Sequence, residues 1–381
     1  MVTRITNANA LIDGAFRNAE LFIERNKIVG IDNHHSYDRT IDAKGCYVTA
    51  GFVDLHCHGG GGADFGEGDT AGACNAAMAH LLHGTTTLFP TVTSVDFSVL
   101  EKSICAIEEA KKTCPSLAGI HLEGPYFSPA QTGAQNPKAL RRPQKEEYIR
   151  ILQKHKIARW DYAPELDKDF SFLSALLEHG VLPAAAHTDA SAEEIETAAK
   201  NGCQLITHLY SCTSTVRREK GFRIAGVVEA AYLLDEISVE LIADGCHLPS
   251  ALLRLAYKLK GSDRIALITD AMCAAATNQL GKTSIGGVPC VIEDGVAKLP
   301  DRSAFAGSIA TADRLIRTCL AAGIPLADCI KMITETPSRI MRLPNKGRLA
   351  VGYDADIVIF DGEIAVKTVI LQGEPVNENR T

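Results

Sequence analysis

Eight short runs rich in apolar, β-branched and aromatic residues recur along the middle of this 381-residue chain: YVTAGFVDLHCH, TTTLFPTV, LAGIHLEG, ARWDYAPE, VLPAAAHT, QLITHLY, ISVELIADG and RIALITDA. Between them lie stretches of helical pattern, among them AGACNAAMAHLLHG, DFSVLEKSICAIEEAKK, AEEIETAAKNG and LPSALLRLAYKLKG, and GSIATADRLIRTCLAAG follows the eighth run. Strands that alternate with helices are joined by crossovers and pair in parallel. A doubly wound sheet is one solution. Eight repeats of the unit within roughly 280 residues predict the other, a (β/α)8 TIM barrel. The stretch TSIGGVPCVIEDGVAKLP reads as a β-hairpin inserted before the last helix.

The two ends follow a different pattern. TRITNANALI, AELFIERNKIVGI and RTIDAKGCYV at one end, and KGRLAVGYDADIVIFD and EIAVKTVILQGEPV at the other, read as short strands broken by turns. They predict a small β-sandwich domain built from residues 1–49 and 346–381, around a barrel domain of residues 50–345. The length suits one large domain and one small one. A formal charge of −7 gives no support to nucleic-acid or membrane-surface binding. No apolar stretch reaches the roughly 18 residues of a membrane helix. The opening MVTRITNANALIDGAF has no apolar core of a secretion signal, so a cytoplasmic protein is expected. The twelve cysteines include no C-x-x-C pair, which argues against a thiolate zinc cluster. Most read as small buried hydrophobes.

The runs share a second property. The first ends in His56 and His58, the third in Glu123, the fifth in His187, the sixth in His208 and the eighth in Asp270. A lone His-x-His is as readily a satisfied pair at a strand end as half of a metal site. In a barrel, however, the C-terminal strand ends converge on one mouth, so six ligands or bases gather there. Imidazole and carboxylate suit Zn²⁺ or Fe²⁺, and three protein ligands leave a position open. Such an ion lowers the pKa of water from about 16 to about 7. A carboxylate beside it can take the proton and deliver it to a leaving amine, and Asp270 is the candidate.

GFVDLHCHGG, GIHLEGPYFSP, GAQNP, AAHTDA, THLY, IADGCHLP, LITDA and FAGS together resemble the N-acetylglucosamine-6-phosphate deacetylase family of the amidohydrolase superfamily. The resemblance runs nearly the whole chain and implies its barrel and split β-domain. It implies a divalent metal on Glu123, His187 and His208, Asp270 as general acid/base, and His56 and His58 as ligands of a second ion. One ion or two is left open. It further implies substrate contacts at Ala134, Gln135, His247, Phe305, Ala306 and Gly307, a small-molecule amino-sugar phosphate substrate, and a homodimer. One segment departs: Ser211 and Cys212 stand where the family carries Asn-Ala. In the following VRREKGFR, Arg218 aligns with a phosphate-binding arginine, with Arg217 and Arg223 close by. The galacto epimer, another N-acetylated compound, cyclic amides, N-acyl amino acids and deamination are alternative chemistries for the same barrel. A barrel that had lost its ligands would be a scaffold, yet every ligand position is filled.

Overall fold

The computed structural model describes residues 1–33 and 35–376; the last five residues of the expected terminal domain lie outside them. Eight parallel strands, Phe52–Cys57, Thr85–Val92, Ile120–Glu123, Ile157–Tyr162, Leu182–Ala185, Leu205–Ile206, Ser238–Ile242 and Ile265–Ile268, pair in chain order. The ring is joined at its mouth, where the Asp270 N–H donates to the His56 carbonyl at 2.9 Å and the His58 N–H to the Ala271 carbonyl at 2.8 Å. Helices cover the outside, and their apolar faces bury Ile104, Ile107, Phe172, Leu253 and Leu315 against the strands. The helices expected between the strands form, at Thr70–Leu82, Phe97–Ala110, Ala192–Lys200, Ser250–Lys260 and Ala312–Ala321.

Three departures have local causes. The run YVTAGFVDLHCH is two strands: Tyr47–Ala50 pairs with Ile357–Phe360, and after Gly51 the chain enters the barrel. A side chain at Gly51 would collide with Thr86, so only glycine lets the two sheets meet there. The expected hairpin is the centre of a four-stranded antiparallel sheet, Gly281–Ile285, Val288–Glu293, Val296–Lys298 and Phe305–Ser308. Two further helices, Leu326–Ile333 and Glu335–Ile340, follow the helix taken as the last.

The chain ends build one hydrogen-bonded sheet, in the order 374–375, 366–371, 357–360, 47–50, 2–12, 15–24 and 27–31, with 39–42 beside 2–12. It has its own apolar core, including Ile5, Leu21, Ile23, Val48, Ile357 and Ile370. No helix among the described residues is long and apolar enough to cross a membrane.

Candidate active site

The six groups named from strand ends meet. Glu123 is the hub: its Oε1 lies 3.2 Å from His187 Nε2, 3.1 Å from His208 Nε2 and 3.6 Å from His56 Nε2. Its Oε2 lies 3.4 Å from His58 Nε2. Asp270 Oδ1 stands 3.4 Å and 3.2 Å from the Nε2 atoms of His56 and His58. All six are buried. His187, His208 and Asp270 each follow a barrel strand with left-handed backbone, at φ of 43°, 29° and 46°. Side-chain-bearing residues adopt that region at a cost, and such strain concentrates where a side chain must be aimed.

The donor set fits metal ions. His187 Nδ1 is 2.9 Å from the Gln131 carbonyl, which accepts its proton and leaves Nε2 with a lone pair facing Glu123. His56 Nε2 and His58 Nε2 lie 3.1 Å apart, an arrangement of two imidazole nitrogens that a shared cation relieves. Within these six residues two triads have converging ligand atoms: Glu123, His187 and His208, and His56, His58 and Glu123.

Electrostatics in the metal-free protein follow from that crowding. Burial raises the Asp270 carboxyl, but His56 and His58 outweigh it and hold it at about 2. Burial lowers the His58 imidazolium, but the Asp270 hydrogen bond and the Glu123 charge lift it to about 9. Burial, aided by the His83 charge, pushes His80 down to about 4, and burial, aided by Arg159 and His56, does the same to His121. Linkage then has opposite signs on the two sides. His58 contributes stability that is complete below 6.5 and lost as pH rises through about 9. His80 and His121 contribute stability that is complete above 6.5 and lost as pH falls through about 4. Buried Asp54 and Asp64, raised to about 6, oppose the acid-side histidines, so the expectation is on the alkaline side: chelator-treated protein should lose stability as pH rises from 6.5 to about 9. Urea midpoints measured from pH 4 to 9 check this, and a midpoint still rising between pH 7 and 9 contradicts it.

Above these groups opens a cavity of about 260 Å³, the scale of one small molecule. Ala134, Gln135, Ser211, Cys212, His247, Phe305, Ala306 and Gly307 all line it. The inserted sheet brings Ile285 and Phe305 to its rim. His247 packs against Phe305 with ring centres 4.7 Å apart and the planes tilted by 59°, and its Nδ1 bonds Asp244 Oδ2 at 2.8 Å. Gln135 is more tightly engaged than a substrate contact needs. Its amide donates to Glu123 Oε2 at 2.7 Å, while its carbonyl accepts from Thr93 Oγ1 and the Ser94 N–H at 2.7 and 2.9 Å.

Arg218 is not brought to the cavity of its own chain. It sits exposed on a two-stranded ribbon, Arg217–Glu219 with Phe222–Ile224, as does Arg223; Arg217 bonds Glu219. Sequence reasoning missed a buried charged cluster beneath the site, formed by Arg159, Asp161 and Glu240. The signal was present, since Arg159 and Asp161 alternate with Trp160 and Tyr162 in a strand otherwise buried on both faces.

A parallel eight-stranded barrel with buried histidines and carboxylates at its strand ends is the amidohydrolase arrangement. The amidohydrolase family model matches residues 47–377, and the chain belongs to that family of metal-dependent hydrolases. N-acetylglucosamine-6-phosphate deacetylase of Lysinibacillus sphaericus is 30% identical over 98% of this chain and 96% of its own length. N-acetylgalactosamine-6-phosphate deacetylase of Shewanella sp. is 31% identical over 86% of this chain and 82% of its own. The solved N-acetyl-D-glucosamine-6-phosphate deacetylase from Mycobacterium smegmatis superposes with a TM-score of 0.90 at 29% identity, covering 99% of this chain and 100% of that one. Within the family, the chain stands in the N-acetylglucosamine-6-phosphate deacetylase branch.

Proposed function

We propose that the protein hydrolyses the acetamide of N-acetylglucosamine 6-phosphate, giving glucosamine 6-phosphate and acetate. The observation that carries the reading is the meeting of Glu123, His187, His208 and Asp270 beneath a cavity the size of one small molecule. Glu123, His187 and His208 would hold one divalent ion, and His56, His58 and Glu123 a second. The nitrogen and oxygen donors suit Zn²⁺ best, with Fe²⁺ as the alternative. Ions held there supply acidified water and a polarised acetamide carbonyl.

The chain's own residues do the rest. Asp270, whose Oδ1 faces His56 and His58, accepts the water's proton and returns it to the departing amine nitrogen. Gln135 keeps Glu123 Oε2 in place. In this reading the cavity-lining Ala134 and Gln135 would meet the acetamide, the loop 305–307 the sugar, and His247, its Nδ1 held by Asp244, the phosphate.

The same reading takes the enzyme as a cytoplasmic homodimer. Phe222, 76% exposed, and Val216, 54% exposed, give the arginine ribbon an apolar surface suited to a second copy. Arg218 then reaches phosphate only across that contact. Arg218→Ala is expected to cost at least about 2 kcal/mol, roughly 30-fold in kcat/KM on the 6-phosphate. Slow turnover of the unphosphorylated sugar should be unchanged. Equal damage to both substrates would assign Arg218 a structural role.

The Shewanella relative favours a second reading, the galacto epimer as substrate. Acetate release measured across N-acetylglucosamine 6-phosphate, its galacto and manno epimers and the unphosphorylated sugars separates the two. Wild-type enzyme that handles the unphosphorylated sugar equally well overturns both.

A further inference from the structure

Barrel interiors are ordinarily filled with Val, Ile and Leu. Here part of the interior is charged. Arg159 on the fourth strand and Glu240 on the seventh are not on neighbouring strands, so they meet through the middle of the barrel. Both are wholly buried, as is Asp161. Arg159 donates through Nε and Nη2 to the two Asp161 oxygens at 2.8 and 3.0 Å. It also donates to both Glu240 oxygens, at 3.1 Å in the longer of the two bonds, and Nη2 further donates to Thr207 Oγ1 at 2.7 Å. One guanidinium thus faces two carboxylates, and their remaining acceptor capacity points elsewhere.

It points at the site. Glu240 Oε2 lies 3.6 Å from His56 Nδ1, a fully buried nitrogen with no hydrogen-bond partner. The same oxygen accepts the His208 N–H at 3.4 Å. Asp161 Oδ1 lies 3.0 Å from His121 Nε2, and the His121 ring stands edge-on to His56 with centres 4.7 Å apart. Carboxylates so placed beside a ligating imidazole fix which nitrogen carries the proton and how the ring is aimed. A buried ion cluster is weak evidence for stability, because apolar residues of similar volume commonly serve as well.

We propose that Glu240, clamped by Arg159, is a positioning residue: it keeps the proton of His56 on Nδ1 and so turns Nε2 toward an ion shared with His58 and Glu123. The inference rests on the two-ion reading above.

The test is Zn²⁺ titration of chelator-stripped protein against a chromophoric chelator, with Glu240→Gln beside wild type. Glutamine keeps the shape but aims a weaker acceptor or an N–H at His56. Wild type is expected to bind two equivalents. In Glu240→Gln the weaker one should lose about 10- to 100-fold in affinity while the other is unchanged. Nitrogen-15 spectra of the histidines should show the Nδ1–H form of His56 falling in the variant. If Glu240→Gln does not fold, Glu240→Met removes the carboxylate while leaving Arg159 paired with both Asp161 oxygens, and carries the same expectation. Wild-type protein that binds only one equivalent sinks the two-ion reading and the proposal with it. Two equivalents with equal affinities in wild type and a folded variant overturn the proposal alone, leaving the cluster a packing feature.

Discussion

Asp270→Asn is expected to keep the fold and the bound metal and to lose about 10²- to 10⁴-fold in kcat, the usual size of general acid–base assistance. Asparagine matches aspartate in shape and can hold the 2.9 Å backbone bond to the His56 carbonyl, since that bond uses only the main chain. It cannot take up a proton near pH 7. Because Asp270 Oδ1 faces both His56 and His58, the variant also withdraws a charge from those rings. Elemental analysis must therefore accompany the kinetics. Full metal with nearly unchanged turnover would show that Asp270 only supports the histidines.

Glu123→Ala should go further and abolish both metal retention and turnover. Its two oxygens are the only carboxylate atoms shared by the two candidate triads, Oε1 toward His187 and His208, Oε2 toward His58. Removing it leaves four imidazoles crowded together with one carboxylate, and an uncompensated Gln135 amide. Metal content after dialysis should fall below about a tenth of wild type, and kcat by more than the roughly 10⁴-fold upper end expected for Asp270→Asn. A metal-loaded enzyme should also gain thermal stability over its stripped form, by about 4 kcal/mol at a thousandfold excess over Kd. Glu123→Ala should show no such gain. A variant that keeps one ion per chain would move the primary site away from Glu123.

The strand ends were legible because a barrel turns a list of distant residues into a neighbourhood. His56, Glu123, His187, His208 and Asp270 share no local motif, yet eight repeats of the same unit place them at one mouth. What was not legible came from contacts with no period. Gln135 lies in a loop, and nothing in its spacing from Glu123 announces a 2.7 Å bond. The pairing of Arg159 with Glu240 joins residues 81 apart on strands that do not touch at their edges. Arg218 is the converse case: alignment brings it to phosphate, whereas the single chain holds it out in solvent. The boundary at Gly51 was hidden because two strands from different sheets run on without a polar break.

That boundary has a consequence for how the enzyme comes into being. The strand Tyr47–Ala50, one residue before the barrel begins, has one neighbour early in the chain, 2–12, but finds the other only in Ile357–Phe360, and the Gly51 N–H donates to the Asp356 carbonyl at 2.8 Å. During synthesis the early segment waits with an open sheet edge until some three hundred residues more have left the ribosome. Contacts of such long sequence separation form late, since closing the loop costs entropy before the pairing returns it. The first barrel strand, with His56 and His58, pairs early with Thr85–Val92 but gains its other neighbour only when Asp270 and Ala271 arrive to close the ring. Ion capture by those two histidines accordingly waits for the ring to close, and a nascent chain arrested before residue 270 should emerge without it.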